Sequence, residues 1–290
     1  MTSIDQIKQQ TKSYLNSSIL PALKEFVTIP NLSRYYDPNW ATNGLLEKAS
    51  KLCIDWANSQ NVKGLSVKLY TEPDRTPFIF GEIAATKPSP AKTIVAYGHI
   101  DKMPHLTESW SEGLHPTIPT IKNGKLYGRG SNDDGYAFFT AVSLAKISQD
   151  CEIPHDRIVL FFECDEESSS IDLEYYLEKF SDQIGNPDIF MCLDSCVPDY
   201  NHFSVTSSLR GYIEGILKVE VCKEATHSGG GGGILPDNFR IIRNLLSRIE
   251  NVETGEVIQE FQTPFPVDKE QFAKTFDKVF GFDHSSWMSF

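Results

Sequence analysis

The chain has 290 residues, and its 27 Lys and Arg against 39 Asp and Glu give a formal net charge of -12 at pH 7. With 40% hydrophobic and 23% charged residues, the composition is that of a globular protein of about two domains and excludes a disordered chain. The acidic balance argues against a nucleic-acid partner, because binding to phosphates needs clustered Lys and Arg.

The sequence carries no targeting or membrane signal. The opening residues, MTSIDQIKQQTK, lack the apolar core of a signal peptide, and no later apolar run reaches the roughly 18 residues of a membrane span. The six cysteines are scattered without a CxxC pair, and several lie within apolar runs, which predicts buried, reduced thiols. We therefore expect a cytoplasmic protein that makes no membrane contact.

Helical and extended patterns alternate along the first two thirds of the chain. Apolar positions at helical spacing predict a helix over residues 4–29, which Pro30 ends, and a second helix from about Asn43 to Trp56. Strands are predicted at 65–71, 78–84, 93–98, 157–164 and 188–194, and helices around 137–145 and 173–180. The last three strands are apolar on both faces, which is typical of central strands covered on both sides. The pattern predicts an α/β domain with a mainly parallel sheet and helices on both faces.

The pattern changes after about residue 206. Residues 211–222, GYIEGILKVEVC, alternate between apolar and polar positions, as in a strand with one solvated face. A glycine run at 229–233 then leads to a predicted helix at about 236–250. We expect a first domain over residues 1–206 and a smaller α+β domain over residues 207–290.

The three apolar strands all lead into residues that can bind a metal or transfer a proton. These residues are His99 and Asp101 after the first strand, Asp165, Glu166 and Glu167 after the second, and Asp194 after the third. Because ligands bind outside the carboxyl ends of the strands in open α/β sheets, we expect these side chains to converge. Asp133 and Asp134, at the start of the next helix, can point into the same crevice.

So many carboxylates in one crevice require a cation, because neighbouring negative charges resist joint ionisation. Imidazole and carboxylate ligands suit zinc, manganese or cobalt, and they exclude a thiolate-type structural zinc site. One histidine with three or four carboxylates exceeds the need of one tetrahedral ion and favours two divalent ions with a bridging carboxylate.

Each of these residues has a simpler explanation when it is considered alone. Asp133 or Asp134 can be a helix N-cap, and Asp194 can be a turn former at a strand end. Glu166 and Glu167 can be solvated loop residues. The combined placement carries the interpretation, since unrelated surface residues would not all follow the most apolar runs.

Six short motifs follow one another along most of the chain. They are YGHID (97–101), LYGRGSNDDG (126–135), ECDEESSS (163–170), CLDS (192–195), SLRG (208–211) and ATHSGGGGG (225–233). As an ordered set they resemble the co-catalytic zinc metallopeptidases, the family of aminoacylase, carboxypeptidase G, carnosinase and succinyl-diaminopimelate desuccinylase. The resemblance implies a metal-dependent hydrolase of the dipeptidase or carboxypeptidase type, which cleaves a small peptide or an N-acyl amino acid. It also implies a homodimer formed through an inserted lid domain.

The resemblance assigns a metal-binding role to four residues. The implied ligands are His99 and Asp194 on a first ion, Glu167 on a second, and Asp133 between the two. The expected ions are two Zn²⁺, with Mn²⁺ or Co²⁺ as alternatives.

Three further residues receive other roles from the resemblance. Glu166 would be the general base, and Asp101 would hold the ring of His99 in the correct tautomer. His227 would reach from the lid of one subunit into the active site of its partner and stabilise the oxyanion.

The same resemblance implies a longer chain than the one that ends at Phe290. In the family, the final segment supplies a histidine to the second ion, and His284 lacks the sequence context of that ligand. We therefore expect a truncated member with an incomplete second site. The alternative to an active hydrolase is a catalytically weak or silent homologue that acts as a binding or dimerisation protein. A nucleotide-binding enzyme is disfavoured, because no glycine fingerprint follows a strand and opens a helix.

Overall fold

Helices and strands alternate in the computed structural model, which describes residues 2–195, 203–206, 209, 211–262 and 274. The helices in these residues are α1 (Ile4–Tyr14), α2 (Leu20–Thr28), α3 (Trp40–Asn43), α4 (Leu45–Ser59), α5 (Gly135–Asp150), α6 (Leu173–Ile184), α7 (Ser228–Gly231) and α8 (Asn238–Leu246). The strands are β1 (Leu65–Tyr70), β2 (Phe78–Ile83), β3 (Thr93–His99), β4 (Thr120–Lys122), β5 (Lys125–Tyr127), β6 (Arg157–Glu163) and β7 (Ile189–Cys192). A π-helical turn at Leu15–Ile19 joins α1 to α2.

The two helices predicted at the start of the chain are confirmed. Helices α1 and α2 together span the first prediction, and α1 begins with a capping box between Ser3 and Gln6. The second predicted helix is α4, which starts after Gly44 rather than at Asn43. The side chain of Asn43 still accepts the main-chain N–H of Leu45, so it satisfies one of the unpaired donors of that helix.

The central sheet has the order β1-β2-β6-β3-β7. Strands β6, β3 and β7 are parallel, whereas β2 is antiparallel to both of its neighbours, so four of the five strands run in one direction. This arrangement confirms the predicted α/β class with a mostly parallel sheet. His99 at the end of β3 lies in register with Glu163 at the end of β6, and the carboxyl ends of these strands therefore meet at one edge.

Helices cover both faces of the central strands, as predicted. On one face, α2, α4 and α5 pack against alternate residues of β3 and β6, including Ala96, Leu160 and Phe162. On the other face, Tyr176 and Phe180 of α6 pack against the remaining alternate residues, including Phe161. The apolar runs are thus buried on both sides, and their polar ends are held in fixed positions at the sheet edge.

Two predicted strands differ from the structure. The run at 188–194 was expected to be central, but β7 lies at the edge of the sheet in the described part of the chain. Its residues Ile189, Phe190 and Met191 are 44%, 53% and 42% exposed, because β7 pairs only with β3 there. Residues 211–222 form no strand, since no neighbouring segment of the described residues supplies ladder hydrogen bonds. An alternating pattern can specify which face of a strand is buried, but it cannot supply the pairing partner.

By its contacts the chain divides into two units, Met1–Ser195 and Cys196–Phe290. The second unit contains α7 and α8, and Asp237 caps α8 by accepting the N–H of Arg240. The predicted division of the chain at residue 206, with a lid domain after it, stays a prediction. Among the described residues, none of the helices combines the length and the apolar character needed to cross a membrane.

The prediction of buried thiols holds for three of the cysteines. Cys53, Cys151 and Cys164 are free and buried. For Cys192 the prediction is wrong, because this thiol lies on the exposed edge strand β7. Cys222 is half-buried, and Cys196 lies outside the described residues.

Substitution of Gly98 by alanine should destabilise the first unit by about 1 to 3 kcal/mol, as expected for an overpacked core. A Cβ atom at this position would overlap the Asp134 carboxylate, and it would lie 2.8 Å from Ala137 Cβ and 2.9 Å from Phe162 Cε1. Urea denaturation of the variant measures the loss. Gly215→Ala is the control, since nothing lies within 4 Å of its added Cβ, and equal stability losses in both variants would contradict the prediction.

Candidate metal centre

The predicted site residues of the first unit converge at the carboxyl edge of the sheet. His99 is the last residue of β3, Asp194 follows β7, and Glu166 and Glu167 lie in a short 3₁₀ turn after β6. Asp133 lies two residues before the start of α5. The apolar strands therefore bring together residues that are up to 95 positions apart in the sequence, from His99 to Asp194.

The ring of His99 lies at the centre of this cluster, and its side chain is fully buried. From His99 Nε2, the distance is 3.1 Å to Asp133 Oδ1, 3.7 Å to Asp194 Oδ2 and 3.9 Å to Glu166 Oε2. The Asp133 side chain is 48% exposed, so the cluster opens to solvent on the side of this carboxylate.

Two overlapping groups of ligand atoms in the cluster are close enough to hold a cation. One group is His99, Asp133 and Glu167, and the other is His99, Asp134 and Asp194; within each, the atoms lie within 4.8 Å of one another. Ligands about 2.1 Å from a tetrahedral zinc lie roughly 3.4 Å apart. The distances from His99 to Asp133 and Asp194 lie on either side of that value.

Two buried oxygen atoms support the fit to a divalent ion. Glu167 Oε1 and Asp134 Oδ1 have no hydrogen-bond partner. An unpaired polar atom away from water is unfavourable, and a metal ion would supply the missing interaction. The imidazole and carboxylate donors of the cluster are the set that zinc, manganese and cobalt accept.

Asp101 connects His99 to the turn that carries Glu166 and Glu167. His99 Nδ1 lies 3.0 Å from the main-chain oxygen of Asp101 and 3.4 Å from its Oδ1, so the carbonyl is the nearer acceptor. The Asp101 carboxylate accepts the main-chain N–H groups of Glu166 and Glu167 at 3.2 and 3.1 Å. Asp101 therefore contacts the His99 ring mainly through its backbone, and its side chain fixes the turn.

Asp134 has contacts that the resemblance did not imply, since it assigned a role only to Asp133 of the adjacent pair. It stands immediately before α5, yet its carboxylate caps no N–H group of that helix. Instead, Asp134 Oδ2 accepts the main-chain N–H of His99 at 3.0 Å, and the residue is buried. The adjacent pair of aspartates in the sequence was the available signal, but it could not reveal which of the two faces the strand.

The electrostatics of the cluster show how strongly its carboxylates resist ionisation without a cation. Burial raises the pKa values of Asp194 and Glu166, and it raises those of Asp134 and Glu167 to about 8. Asp133 differs, because its hydrogen bond with His99 lowers its pKa. Although burial by itself lowers the pKa of His99, hydrogen bonds with Asp101 and Asp133 raise it well above the ordinary value.

The two remaining candidate histidines lie in the second half of the chain. His227 belongs to the second unit, where its ring nitrogen Nδ1 accepts the N–H of Gly229 at the start of α7. Its predicted contact with a partner's active site stays a prediction. His284 lies outside the described residues.

The sequence profile of Peptidase family M20/M25/M40 matches residues 95–284, which is more than half of the chain. The chain belongs to this family. The match includes every candidate ligand in the metal cluster, so the predicted resemblance to metallopeptidases is confirmed. Membership also supports metal dependence for this M20 chain.

Among curated relatives, the M20 chain is similar to the probable di- and tripeptidase DUG2 of Saccharomyces cerevisiae. The two are 28% identical over an alignment of 282 positions, which covers 93% of this chain and 31% of that protein. It is also 31% identical over 180 residues to the Beta-Ala-His dipeptidase of Homo sapiens, covering 60% of this chain and 34% of the relative. The chain thus spans about a third of the length of these relatives.

A solved structure shares the fold of the M20 chain. The crystal structure of human carnosine dipeptidase 1 matches with a TM-score of 0.61 and 18% sequence identity. The match covers 95% of this chain and 60% of that chain. At this identity the likeness concerns the α/β fold alone.

The metal-free M20 chain should lose stability as the pH rises from about 4 to about 8. Asp134 and Glu167 keep their protons up to about pH 8 in the folded chain, whereas unfolded carboxyls lose theirs near about pH 4. Between these values the folded chain binds more protons than the unfolded chain, so the free energy of unfolding falls with rising pH. Melting temperatures of chelator-treated protein across this range measure the effect.

Added zinc should raise the melting temperature more at pH 8 than at pH 5, because it replaces the protons that the cluster has lost. Asp134→Asn should reduce the slope in the metal-free chain, and the exposed Asp182→Asn should leave it unchanged. A melting temperature that is constant or rises over the same range would contradict this account.

Proposed function

We propose that the chain is the metal-binding part of a peptidase that hydrolyses the peptide or N-acyl amide bond of a small substrate. The observation that carries this proposal is the meeting of His99, Asp133, Glu167 and Asp194 at one sheet edge, with Glu166 beside them. Family membership supports a metallopeptidase, and the curated relatives carry the names of di- and tripeptidases. A dipeptide is therefore the first substrate to test.

The proposed ligand assignment follows the resemblance of the motifs. His99 and Asp194 would hold a first ion, Glu167 a second, and Asp133 would bridge them. The low pKa of Asp133 supports the bridging role, since a bridging carboxylate has to be ionised. We propose Zn²⁺ in both positions, with Mn²⁺ or Co²⁺ as substitutes, because the donors are imidazole and carboxylate oxygen.

When bound, the divalent ions supply Lewis-acid polarisation of the scissile carbonyl and a more acidic water. Glu166 would accept a proton from the attacking water through Oε2, and it would then deliver that proton to the leaving amine. Two observations support this role. Glu166 belongs to neither candidate ligand group, so its carboxylate is available, and burial raises its pKa towards the working range of a base.

Other residues of the chain would position these groups. Asp101 would orient the His99 ring and hold the turn that carries Glu166, as its contacts with both support. His227 would stabilise the oxyanion from the lid of a partner subunit, so the proposal includes a homodimer formed through residues 207–290. Light scattering of the purified chain tests the dimer.

Glu166→Gln should lower kcat for dipeptide hydrolysis by about 10²- to 10⁴-fold, the range expected for the loss of a general base. The bound zinc should stay unchanged, because the proposed ligands are intact. Hydrolysis of a small dipeptide panel and elemental analysis of the same sample measure both quantities. The exposed Glu178→Gln on α6 serves as the matched control. Full activity in Glu166→Gln would refute the assigned base.

The numbers of ligands favour unequal affinities for the two ions. In the proposed assignment, His99, Asp133 and Asp194 would contact the first ion, and Asp133 and Glu167 are the described residues left for the second. We expect one zinc per chain to survive exhaustive dialysis, and a second to bind only when zinc is added. Elemental analysis before and after dialysis measures the difference, and retention of two ions would contradict it.

The same observation supports a second candidate function. With two described protein ligands for the second ion, the chain can retain the fold and one metal while lacking the hydrolytic reaction. Such a homologue would act as a binding or dimerisation protein. Metal-loaded chain that dimerises but hydrolyses no member of the dipeptide panel would favour this alternative.

A further inference from the structure

The turn that carries Glu166 and Glu167 is short, and part of its backbone is strained. It consists of a single 3₁₀ turn, Glu166–Ser168, followed by Ser169 and Ser170 with φ angles of 72° and 49°. Residues other than glycine rarely adopt these left-handed conformations. The position of the two glutamates therefore depends on contacts from outside the turn.

One arginine bridges the two ends of this segment. Arg34 Nε donates to Asp165 Oδ1 at 2.8 Å, and Arg34 Nη2 donates both to Asp165 Oδ2 and to Asp172 Oδ2, the latter at 2.9 Å. Asp165 directly precedes Glu166, and Asp172 directly precedes α6. A guanidinium is suited to this geometry, because its planar N–H donors can bind one carboxylate through two parallel hydrogen bonds and reach a second carboxylate at the same time.

Asp165 connects Arg34 to the backbone of the turn. Its Oδ2 also accepts the N–H of Ile171 at 2.9 Å, and its main-chain oxygen accepts the N–H groups of Ser168 and Ser170. The Asp165 side chain is 0% exposed, and among the described residues its cationic partner is Arg34, which is 16% exposed. Without Arg34, a buried carboxylate next to Glu166 would lose its counter-ion.

The neighbours of Arg34 contact the same turn. Ser33 Oγ and Ser168 Oγ are 2.5 Å apart, and Ser168 Oγ accepts the N–H of Tyr35 at 2.9 Å. The N–H of Ser33 donates to the main-chain oxygen of Lys102, one residue after Asp101. Residues 33–35 thus lie between the strand end that carries His99 and the turn that carries the glutamates.

We infer that Arg34 is a positioning residue of the site: through Asp165 and Asp172 it holds the turn in the shape that directs Glu167 to its ion and Glu166 to the substrate. This inference rests on the proposed function for the roles of the two glutamates. No motif that relates the chain to the metallopeptidases includes Arg34.

The test uses the full chain with Arg34→Met and the matched control Arg75→Met. Arg75 pairs with Asp172 at 2.6 Å, whereas the Asp165 carboxylate pairs with Arg34, so the loss of Arg75 leaves the Arg34 bridge to Asp165 intact. In the metal-free chain, hydrogen exchange of the Glu166 and Glu167 amides should accelerate by about tenfold or more in Arg34→Met and stay unchanged in Arg75→Met.

Zinc titration by calorimetry distinguishes a positioning role of Arg34 from a general loss of stability, because it measures the affinity for each ion separately. In Arg34→Met, the affinity for the ion that Glu167 holds should fall by about tenfold, the effect expected for lost support of a ligand. The affinity for the ion of His99 and Asp194 should change by less than about threefold. In steady-state assays, kcat should fall while KM stays constant, because Glu166 acts on the reaction rather than on substrate binding.

Arg34→Lys provides a second variant if the methionine variant does not fold. Lysine keeps the charge but cannot reach both aspartates with parallel donors. In Arg34→Lys, the exchange rates of the Glu166 and Glu167 amides should therefore lie between those of the wild type and of Arg34→Met. The inference would be overturned if amide exchange stayed unchanged in both Arg34 variants. It would also be overturned if the affinities for both zinc ions fell equally. A different result would separate the two proposals. If the wild-type chain binds no zinc but amide exchange still accelerates in Arg34→Met, the proposed function is refuted and the positioning role of Arg34 stands.

Discussion

Burial of several carboxylates around His99, together with the repulsion between them, is the constraint on which the rest of the structure depends. Asp134, Glu166, Glu167 and Asp194 all have raised pKa values, so the cluster retains protons that isolated carboxylates would release. Bound protons or divalent cations are the two ways to relieve this repulsion. A fold that gathers such groups has to hold them together in the absence of either, and the surrounding hydrogen bonds do so.

Several of these hydrogen bonds attach the cluster to the main chain. Asp134 accepts the N–H of His99, and the carboxylate of Asp101 accepts two N–H groups of the glutamate turn. Tyr136, on the first turn of α5, donates its hydroxyl to the carbonyl of Leu193, one residue before Asp194. Main-chain donors and acceptors keep their character at every pH, so the main-chain half of each contact is unchanged when a site carboxylate gains or loses a proton.

The sequence predicted the parts of this arrangement that arise from local patterns. Apolar runs identified β3 and β6, and the α/β topology placed His99 near the residues after β6. The exposed position of β7 and the absence of a strand at 211–222 could not be predicted, because strand pairing depends on segments that are distant in the sequence. The same limit applies to Asp134 and Arg34, whose partners are His99, Asp165 and Asp172. Nothing near either residue in the sequence indicates those contacts.

Asp101 shows why a carboxylate is required at a position that binds no metal in the proposed site. Its main-chain oxygen faces His99 Nδ1, while its two carboxylate oxygens each accept one N–H of the glutamate turn. Asparagine has the same shape, but it offers a single oxygen and would turn an N–H donor towards one of these N–H groups. Through Asp101, the ring of His99 and the backbone of Glu167 share one anchor. The glutamate turn is therefore attached directly to the strand end that carries His99.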